Sequence, residues 1–545
     1  MIPVEKNKKY IVNISAISSD GNGIAKIDGF TIFVPLSVLG DKLEVLIVKL
    51  NSSHAYAKIT EIIEPSENRI NPLCENYLKC GGCTMLQSKY TLQLESKKGF
   101  VENAFSRIGG FKEFKISEII GMDNPYKYRN KMVFPFSEDK EGNVQFGFFR
   151  QRSHDLIPLN SCLLGDDINI EILKTVKKHM EINNIKPYDE KNHSGLVRRV
   201  FTRKSHHKNE IMIVISVNGT YIPHSEELVK NLLSISKDIV SIFLNINTEK
   251  NNLVLGDRNK LLFGKQVISD TLCGLNYEIS PNSFFQVNPI QTEKLYKLAI
   301  EYADIQKGDI VMDIYCGIGT ISLYAAKYAK KVIGIEIVEA AIKNAKENAV
   351  RNNVFNAEFY ASSAEKIVPK LIKNGVSPDI VILDQPRKGS DEKTLAAIAS
   401  ATPQKIVYIS CNPATLARDA KFLSTMGYYP EIAAAVDMFP HTAHVETCVL
   451  LSKLKSSKSV SIELDLDDLE ITAAEAKATY GEIKEYILNK YGFKVASLNI
   501  AQVKQECGII ERENYNKPTG QYRQPKCPEH KFNAIKEALE HFKMI

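Results

Sequence analysis

The feature that most limits what this chain can fold into is a change of rhythm near residue 290. From there to residue 410, short apolar runs alternate with amphipathic stretches of helical length. The pattern predicts helices over 291–304, 319–329, 338–351 and 391–400, and strands over 309–314, 331–336, 356–360, 379–383 and 405–410. Runs such as Ile380-Val381-Ile382-Leu383 and Ile406-Val407-Tyr408-Ile409 are apolar at every position, so both faces of their sheet must be covered. Such strands, joined by helices of roughly 10–15 residues, make a parallel sheet with helices on both sides, an α/β architecture. Ligands of these sheets bind beyond the carboxyl ends of the strands, so the loops there are where chemistry is expected.

The first such loop follows Val311-Met312-Asp313-Ile314 and reads Tyr315-Cys316-Gly317-Ile318-Gly319-Thr320. Gly317 and Gly319 allow the backbone to approach a ligand where a Cβ would collide. The next strand ends in Glu336, about 20 residues on, where a carboxylate can accept both hydroxyls of a ribose. A dinucleotide-binding turn carries a third glycine; that position is Ser322 here, which favours a nucleoside cofactor without pyrophosphate, S-adenosylmethionine. A plain strand–turn–helix connection has the same outline.

The fourth strand runs into Asp384-Gln385-Pro386-Arg387-Lys388-Gly389 and the fifth into Ser410-Cys411-Asn412-Pro413. A cysteine at that edge is a nucleophile or a small buried apolar group. Arg387 and a helix N-terminus are expected to draw Cys411 toward the thiolate. Glu446, in His444-Val445-Glu446-Thr447-Cys448, precedes a final apolar strand and is expected beside the same pocket. Uracil C5 is a poor nucleophile until a group adds at C6, and its proton must then be removed. Cys411 and Glu446 supply that thiolate and that base.

These residues resemble the S-adenosylmethionine-dependent RNA uridine-C5 methyltransferases of bacteria over roughly 8–454. The likeness rests on Phe284-Phe285-Gln286-Val287-Asn288, Asp313-x-Tyr315-Cys316-Gly317-x-Gly319, Asp384-x-Pro386-Arg387-x-Gly389, Ser410-Cys411-Asn412-Pro413 and His444-Val445-Glu446, in that order. It implies a class I, Rossmann-like methyltransferase domain at 266–455. Gln286, Tyr315, Gly317, Glu336 and Asp384 would hold the donor, Cys411 would be the nucleophile, Glu446 the base, and Arg387 would orient the target base. One departure is visible: Gln385 stands where the family usually has proline, which puts the geometry of that loop in question.

Residues 1–64 alternate apolar and polar over 10–14, 23–27, 31–35, 42–48 and 55–62, with glycines between, which suggests five strands of an OB-like β-barrel. It resembles the TRAM domain, an RNA-binding module. Residues 65–265 form a central α+β domain, strand-rich after 126 with one helix near 166–183. There, 126–131 and 198–204 interleave rings with cations, as an RNA-facing surface or a solvated strand face would. Cys74, Cys80, Cys83 and Cys162 have the spacing of a metal site. By ligand type zinc and an iron–sulfur cluster are equally suited. The family resemblance implies a four-iron, four-sulfur cluster.

Residues 456–545 form a small appendage of no assigned role, with an acidic-apolar run at 463–470, helical patterning at 474–490 and 531–542, and cysteines too few for a metal site. Lys and Arg exceed Asp and Glu by 57 minus 50 in residues 1–455, whereas the last 90 residues hold 13 against 14. A mildly basic body suits a polyanionic partner. Structured RNA is that expected partner, 23S ribosomal RNA in preference to transfer RNA, because the transfer-RNA members usually lack both barrel and cysteine set. No obligate protein partner is inferred. The start lacks a secretory apolar run, no span is long enough for a membrane, and ten cysteines are too few for a disulfide scaffold, so a cytoplasmic location is expected. Two other readings stay open: a cytosine-C5 methyltransferase, and a non-catalytic RNA-binding protein that retains the cofactor fold.

Overall fold

A computed structural model describes residues 2–150, 153–250, 253–453, 480–493, 495–507 and 527–542. The chain divides into two compact units, Met1–Ser457 and Lys458–Ile545.

At the N-terminus six strands, one more than expected, form a sheet in the order Lys9–Asn13, Lys42–Leu50, His54–Glu64, Phe30–Val34, Gly23–Ile27, Ala16–Ile17. The added strand has only two residues, too few for a pattern to register. Strict alternation sends Val12, Ala25, Ile32, Val34, Leu43, Val45, Ile47, Ala55 and Ala57 into a small core and leaves the intervening side chains outside.

The next sheet has seven strands, ordered Leu156–Pro158, Val144–Phe149, Lys131–Glu138, Val197–Lys204, Ile211–Val217, Ile239–Ile246, Arg258–Gly264. Helix Ile168–Ile182 covers one face through Ile172, Leu173 and Val176. A second helix, Ser225–Leu233, adds Leu228 and Leu232. The sequence reading did not assign it, although Leu228, Val229, Leu232 and Leu233 recur at helical spacing within its nine residues. The opposite face, through Phe201, Met212, Val214 and Phe243, merges with the core of the region that follows. Val197–Lys204 is therefore a central strand, buried at Arg198 and Arg203. The expectation of an RNA-facing or solvated surface there fails, because strands flank it on both sides and packed layers cover both faces.

The third sheet runs Ala357–Ala361, Lys331–Glu336, Ile310–Ile314, Ile380–Gln385, Lys405–Ser410, Glu446–Lys453, Tyr428–Val436, Ile119–Ile120. Helices Pro289–Ala303, Thr320–Ala325 and Glu339–Arg351 pack on one face. Helices Tyr90–Arg107, Ala364–Lys373, Glu392–Ser400 and Pro413–Ser424 pack on the other. The first five strands are parallel, but Glu446–Lys453 is antiparallel to both neighbours, so the sheet is mixed. That reversal returns the start of the last strand to the edge where the parallel strands end.

In the second unit, helices Tyr480–Tyr491, Ser497–Glu506 and Glu529–His541 enclose Ile483, Ile487, Val495, Ile500, Val503, Ile535 and Leu539. The acidic-apolar run 463–470 and the first residues of the expected helix at 474–490 lie outside the described residues. No described helix is long and apolar enough to cross a membrane.

Candidate active site

Register brings the two expected reacting groups together. Ser410 pairs with Thr447 across the antiparallel ladder, so one step further sets Cys411 opposite Glu446. Cys411 leaves its strand just before Asn412, whose side chain accepts the Ala414 N–H at 3.1 Å and starts helix Pro413–Ser424. Cys411 is half-buried and Glu446 is buried.

Electrostatics ties this pair to Asp384 and Arg387. Burial pushes the Cys411 thiol up to about 11, the carboxylates of Glu446 and Asp384 push the same way, and Arg387 opposes them. Burial, and next Asp384, raise Glu446 well above the ordinary carboxyl range, again against Arg387. Burial alone takes Asp384 up to about 7, and among the described residues no donor reaches its carboxylate. The expected drift of Cys411 toward the thiolate is thus reversed. One exposed guanidinium does not offset desolvation plus two acidic neighbours.

The turn after Ile310–Ile314 is left-handed at Tyr315, Gly317 and Gly319. A Cβ on Gly317 would meet nothing within 4 Å, so it faces open space, whereas one on Gly319 would lie 3.2 Å from Ala345 and the Phe359 ring. The first glycine leaves room for a ligand and the second lets a helix pack. Gly317 N–H donates to Glu336 at 3.3 Å and Val338 N–H donates to the other oxygen at 2.9 Å, fixing that carboxylate beside the turn. Tyr315 is half-buried, its hydroxyl 3.3 Å from Ser390 Oγ.

Asp313 was not among the expected site residues. It is fully buried and pushed up to about 7 by burial; one oxygen accepts the Ser322 hydroxyl and the other has no partner. The serine in place of a third glycine was the available signal. Gln385 is settled too: it ends its strand with the side chain buried, accepting Ser390 Oγ at 2.6 Å and reaching Asp419 at 3.5 Å. Asp419 also accepts the Ser390 N–H and the Tyr408 hydroxyl, so the glutamine ties the 385–390 loop to helix Pro413–Ser424.

Gln286 is half-buried on a segment clamped from below. Asn130 donates to the carbonyl of Gln286 at 3.0 Å and to that of Val287 at 2.9 Å. The fully buried Arg203 donates to Ser280 and Ser283 carbonyls at 3.0 and 2.9 Å. Arg203 therefore serves the segment that carries Gln286. The rings of 126–131 are also committed: Tyr126 stacks on His441 at 4.8 Å and the Tyr128 hydroxyl donates to the Pro440 carbonyl. A buried Lys97–Asp437 ion pair, with Tyr90 donating to the same aspartate, holds the start of the segment that ends at Glu446.

Cys74, Cys80, Cys83 and Cys162 all line one cavity of about 520 Å³, together with Arg129, Lys131 and Arg199. Among the described residues no three His, Cys, Asp or Glu side chains stand in metal-holding geometry. The thiols of Cys74, Cys80, Cys83 and Cys162 are close enough to act on one another electrostatically, and burial pushes Cys80, Cys83 and Cys162 upward.

The pattern of the tRNA (Uracil-5-)-methyltransferase family matches residues 89–454, and that of the TRAM domain matches residues 3–60. An uncharacterized RNA methyltransferase of Clostridium tetani is 45% identical over 451 residues, 83% of this chain and 98% of that protein. One from Clostridium acetobutylicum is 44% identical over 456 residues, 83% and 99% of the two chains. Among solved structures, the Pyrococcus abyssi tRNA (uracil-54, C5)-methyltransferase in complex with S-adenosyl-L-homocysteine is 28% identical with a TM-score of 0.66, covering 81% of this chain and all of that one.

Proposed function

The chain belongs to the tRNA (uracil-5-)-methyltransferase family and carries a TRAM domain, and from that premise we propose that it methylates C5 of a uridine in structured RNA through a covalent adduct at Cys411. The observation that carries this reading is the register that sets Cys411 across from Glu446 at the sheet edge. S-adenosylmethionine, when bound, supplies an electrophilic methyl and a positive charge. Gln286, Tyr315, Gly317, Glu336 and Asp384 are the residues that would hold it, and the open space at Gly317 beside Glu336 suits its nucleoside.

Cys411 Sγ, as the thiolate, bonds to C6 of the uracil while the C5–C6 double bond shifts into an enolate, whose oxygen Arg387 would stabilise. C5 then takes the methyl group as the bond between that methyl and the donor sulfur breaks, and S-adenosylhomocysteine would be the leaving group. Glu446 removes the C5 proton, the C6–S bond breaks, and the thiolate returns. Burial favours the protonated form of both groups, and positive charge beside them favours their ionised forms. Reaching C6 requires the uridine to leave its stack, so a loop or refolded element suits better than intact duplex.

The barrel and the cysteine set support ribosomal RNA, 23S in particular; the archaeal neighbour supports transfer RNA as the second reading. Mapping 5-methyluridine in both RNAs from a deletion strain separates them, and loss in transfer RNA alone overturns the first. RNA containing 5-fluorouridine should trap an adduct that Cys411→Ala abolishes; no adduct with the unaltered protein would sink the mechanism.

The four cysteines would hold a four-iron, four-sulfur cluster, for which a cavity bordered by cations is suited. Protein purified without oxygen should contain iron and acid-labile sulfide, lost on Cys80→Ser. Stoichiometric zinc without sulfide would replace that assignment.

A further inference from the structure

We propose that His441 is a positioning residue for the proton-removal step, a strained pivot that fixes the direction in which Glu446 enters the pocket; this rests on the reading of Glu446 as the base. The backbone supplies the first observation. His441 is buried and has φ 66, in the left-handed region that favours glycine. A residue with a side chain stays in such a conformation only when its surroundings dictate it. Here both of its peptide groups are held: the N–H donates to the Gln93 side-chain oxygen at 3.0 Å, and the carbonyl accepts the Met85 N–H at 3.0 Å. The ring is held too, stacked on Tyr126 at 4.8 Å, with Nδ1 3.3 Å from the Gln93 amide nitrogen. Burial lowers the imidazole to about 4, so near pH 7 it is neutral and a poor base. Its service is to geometry.

What grips the pivot also reaches its neighbours. Thr84 Oγ1 accepts the Ala443 N–H at 3.2 Å. The Tyr128 hydroxyl donates to the Pro440 carbonyl at 3.1 Å, and the Arg129 guanidinium lies 5.8 Å from the centre of the Phe439 ring. The second of these holds is itself tied down, because the N–H groups of Lys127 and Arg129 donate to the carbonyls of Leu163 and Leu164 at 2.8 and 2.9 Å. Two segments distant in sequence, 84–93 and 126–129, thus set the place of 439–443.

From the pivot to the base there is no slack. The N–H and the hydroxyl of Thr442 both donate to the Phe439 carbonyl, at 3.2 and 2.8 Å, and the same hydroxyl accepts the His444 N–H at 3.3 Å. Val445 is buried, and Glu446 opens the ladder opposite Val436. A turn closed on itself and followed directly by a strand carries the placement of His441 on to Glu446. A base must lie within hydrogen-bond reach of its proton, and a shift of about 1 Å costs on the order of 10²-fold in rate.

The test compares turnover on total RNA from a deletion strain fed 5-deuterouracil with turnover on RNA from the same strain fed ordinary uracil. His441→Gly keeps the left-handed backbone without strain and removes the grip on the ring. Its kcat should fall on the order of 10- to 100-fold with KM for donor and RNA unchanged. The deuterium effect on kcat should rise, because removal of the C5 proton becomes the slow step. A protein that is merely less folded loses active sites without changing that effect. Thr84→Val and Thr84→Ser decide the matter if His441→Gly does not fold. Valine takes away the acceptor of the Ala443 N–H and should raise the isotope effect, whereas serine keeps the hydroxyl and should restore ordinary turnover. An isotope effect unchanged in His441→Gly, or Thr84→Val indistinguishable from Thr84→Ser, overturns the pivot. Failure of the reading of Glu446 as the base would show separately, as Glu446→Gln turning over like the unaltered protein.

Discussion

The edge of the third sheet and the outer face of the first treat charge in opposite ways. At the edge, Asp313, Asp384 and Glu446 are drawn into the protein without cationic partners close enough to keep them in the ordinary carboxyl range. On the first sheet, Lys26, Lys49 and Lys58 stay in water. Burying an unpaired carboxylate costs folding free energy, and such a cost persists where chemistry needs a proton acceptor of raised basicity. An exposed cation costs almost nothing. One region therefore holds carboxylates against their own charge, and the other leaves its cations in water.

Breaking the reactive side should give the largest effects. Cys411→Ala should abolish methyl transfer, measured with a radiolabelled donor, while leaving RNA affinity unchanged; appreciable residual transfer would remove Cys411 from the chemistry. Glu446→Gln should lower turnover by about 10²–10⁴. It should also let the 5-fluorouridine-independent adduct accumulate, since addition no longer leads to elimination.

The same substitution sharpens the contrast in an unexpected direction. Cys411 stands near 11 partly because of Glu446. Alkylation by iodoacetamide in the unaltered protein should rise about tenfold per pH unit from 7 to 9 without a plateau, as only the thiolate reacts. Glu446→Gln removes a negative neighbour, so alkylation should become several-fold faster while methylation slows. A plateau below pH 8 in the unaltered protein would contradict the electrostatic account.

The smallest effect is on stability. Asp384 rises from 3.8 to about 7 on folding, so the folded state keeps its proton over a range where the unfolded chain has lost it. Its contribution to stability therefore declines as pH rises from about 4 to 7 and then levels off. Asp384→Asn removes this dependence. Between pH 5 and 7.5 its Tm should fall less than that of the unaltered protein, while donor affinity drops. Parallel Tm curves would show that the buried charge is relieved by another group.

The sequence alone determined the alternation of strand and helix, the carboxyl-edge loops, the alternating N-terminal strands and the order of the reactive motifs. Those features are written in local period and in glycine placement, which survive without knowledge of partners. It did not determine that Glu446–Lys453 runs antiparallel, that Gln385 locks a loop to Asp419, or that Arg203 is buried beneath the Gln286 segment. Nor did it give the sign of the Cys411 shift. Register across non-neighbouring strands and the desolvation of a charge depend on what lies opposite in space, and only the assembled layers decide that.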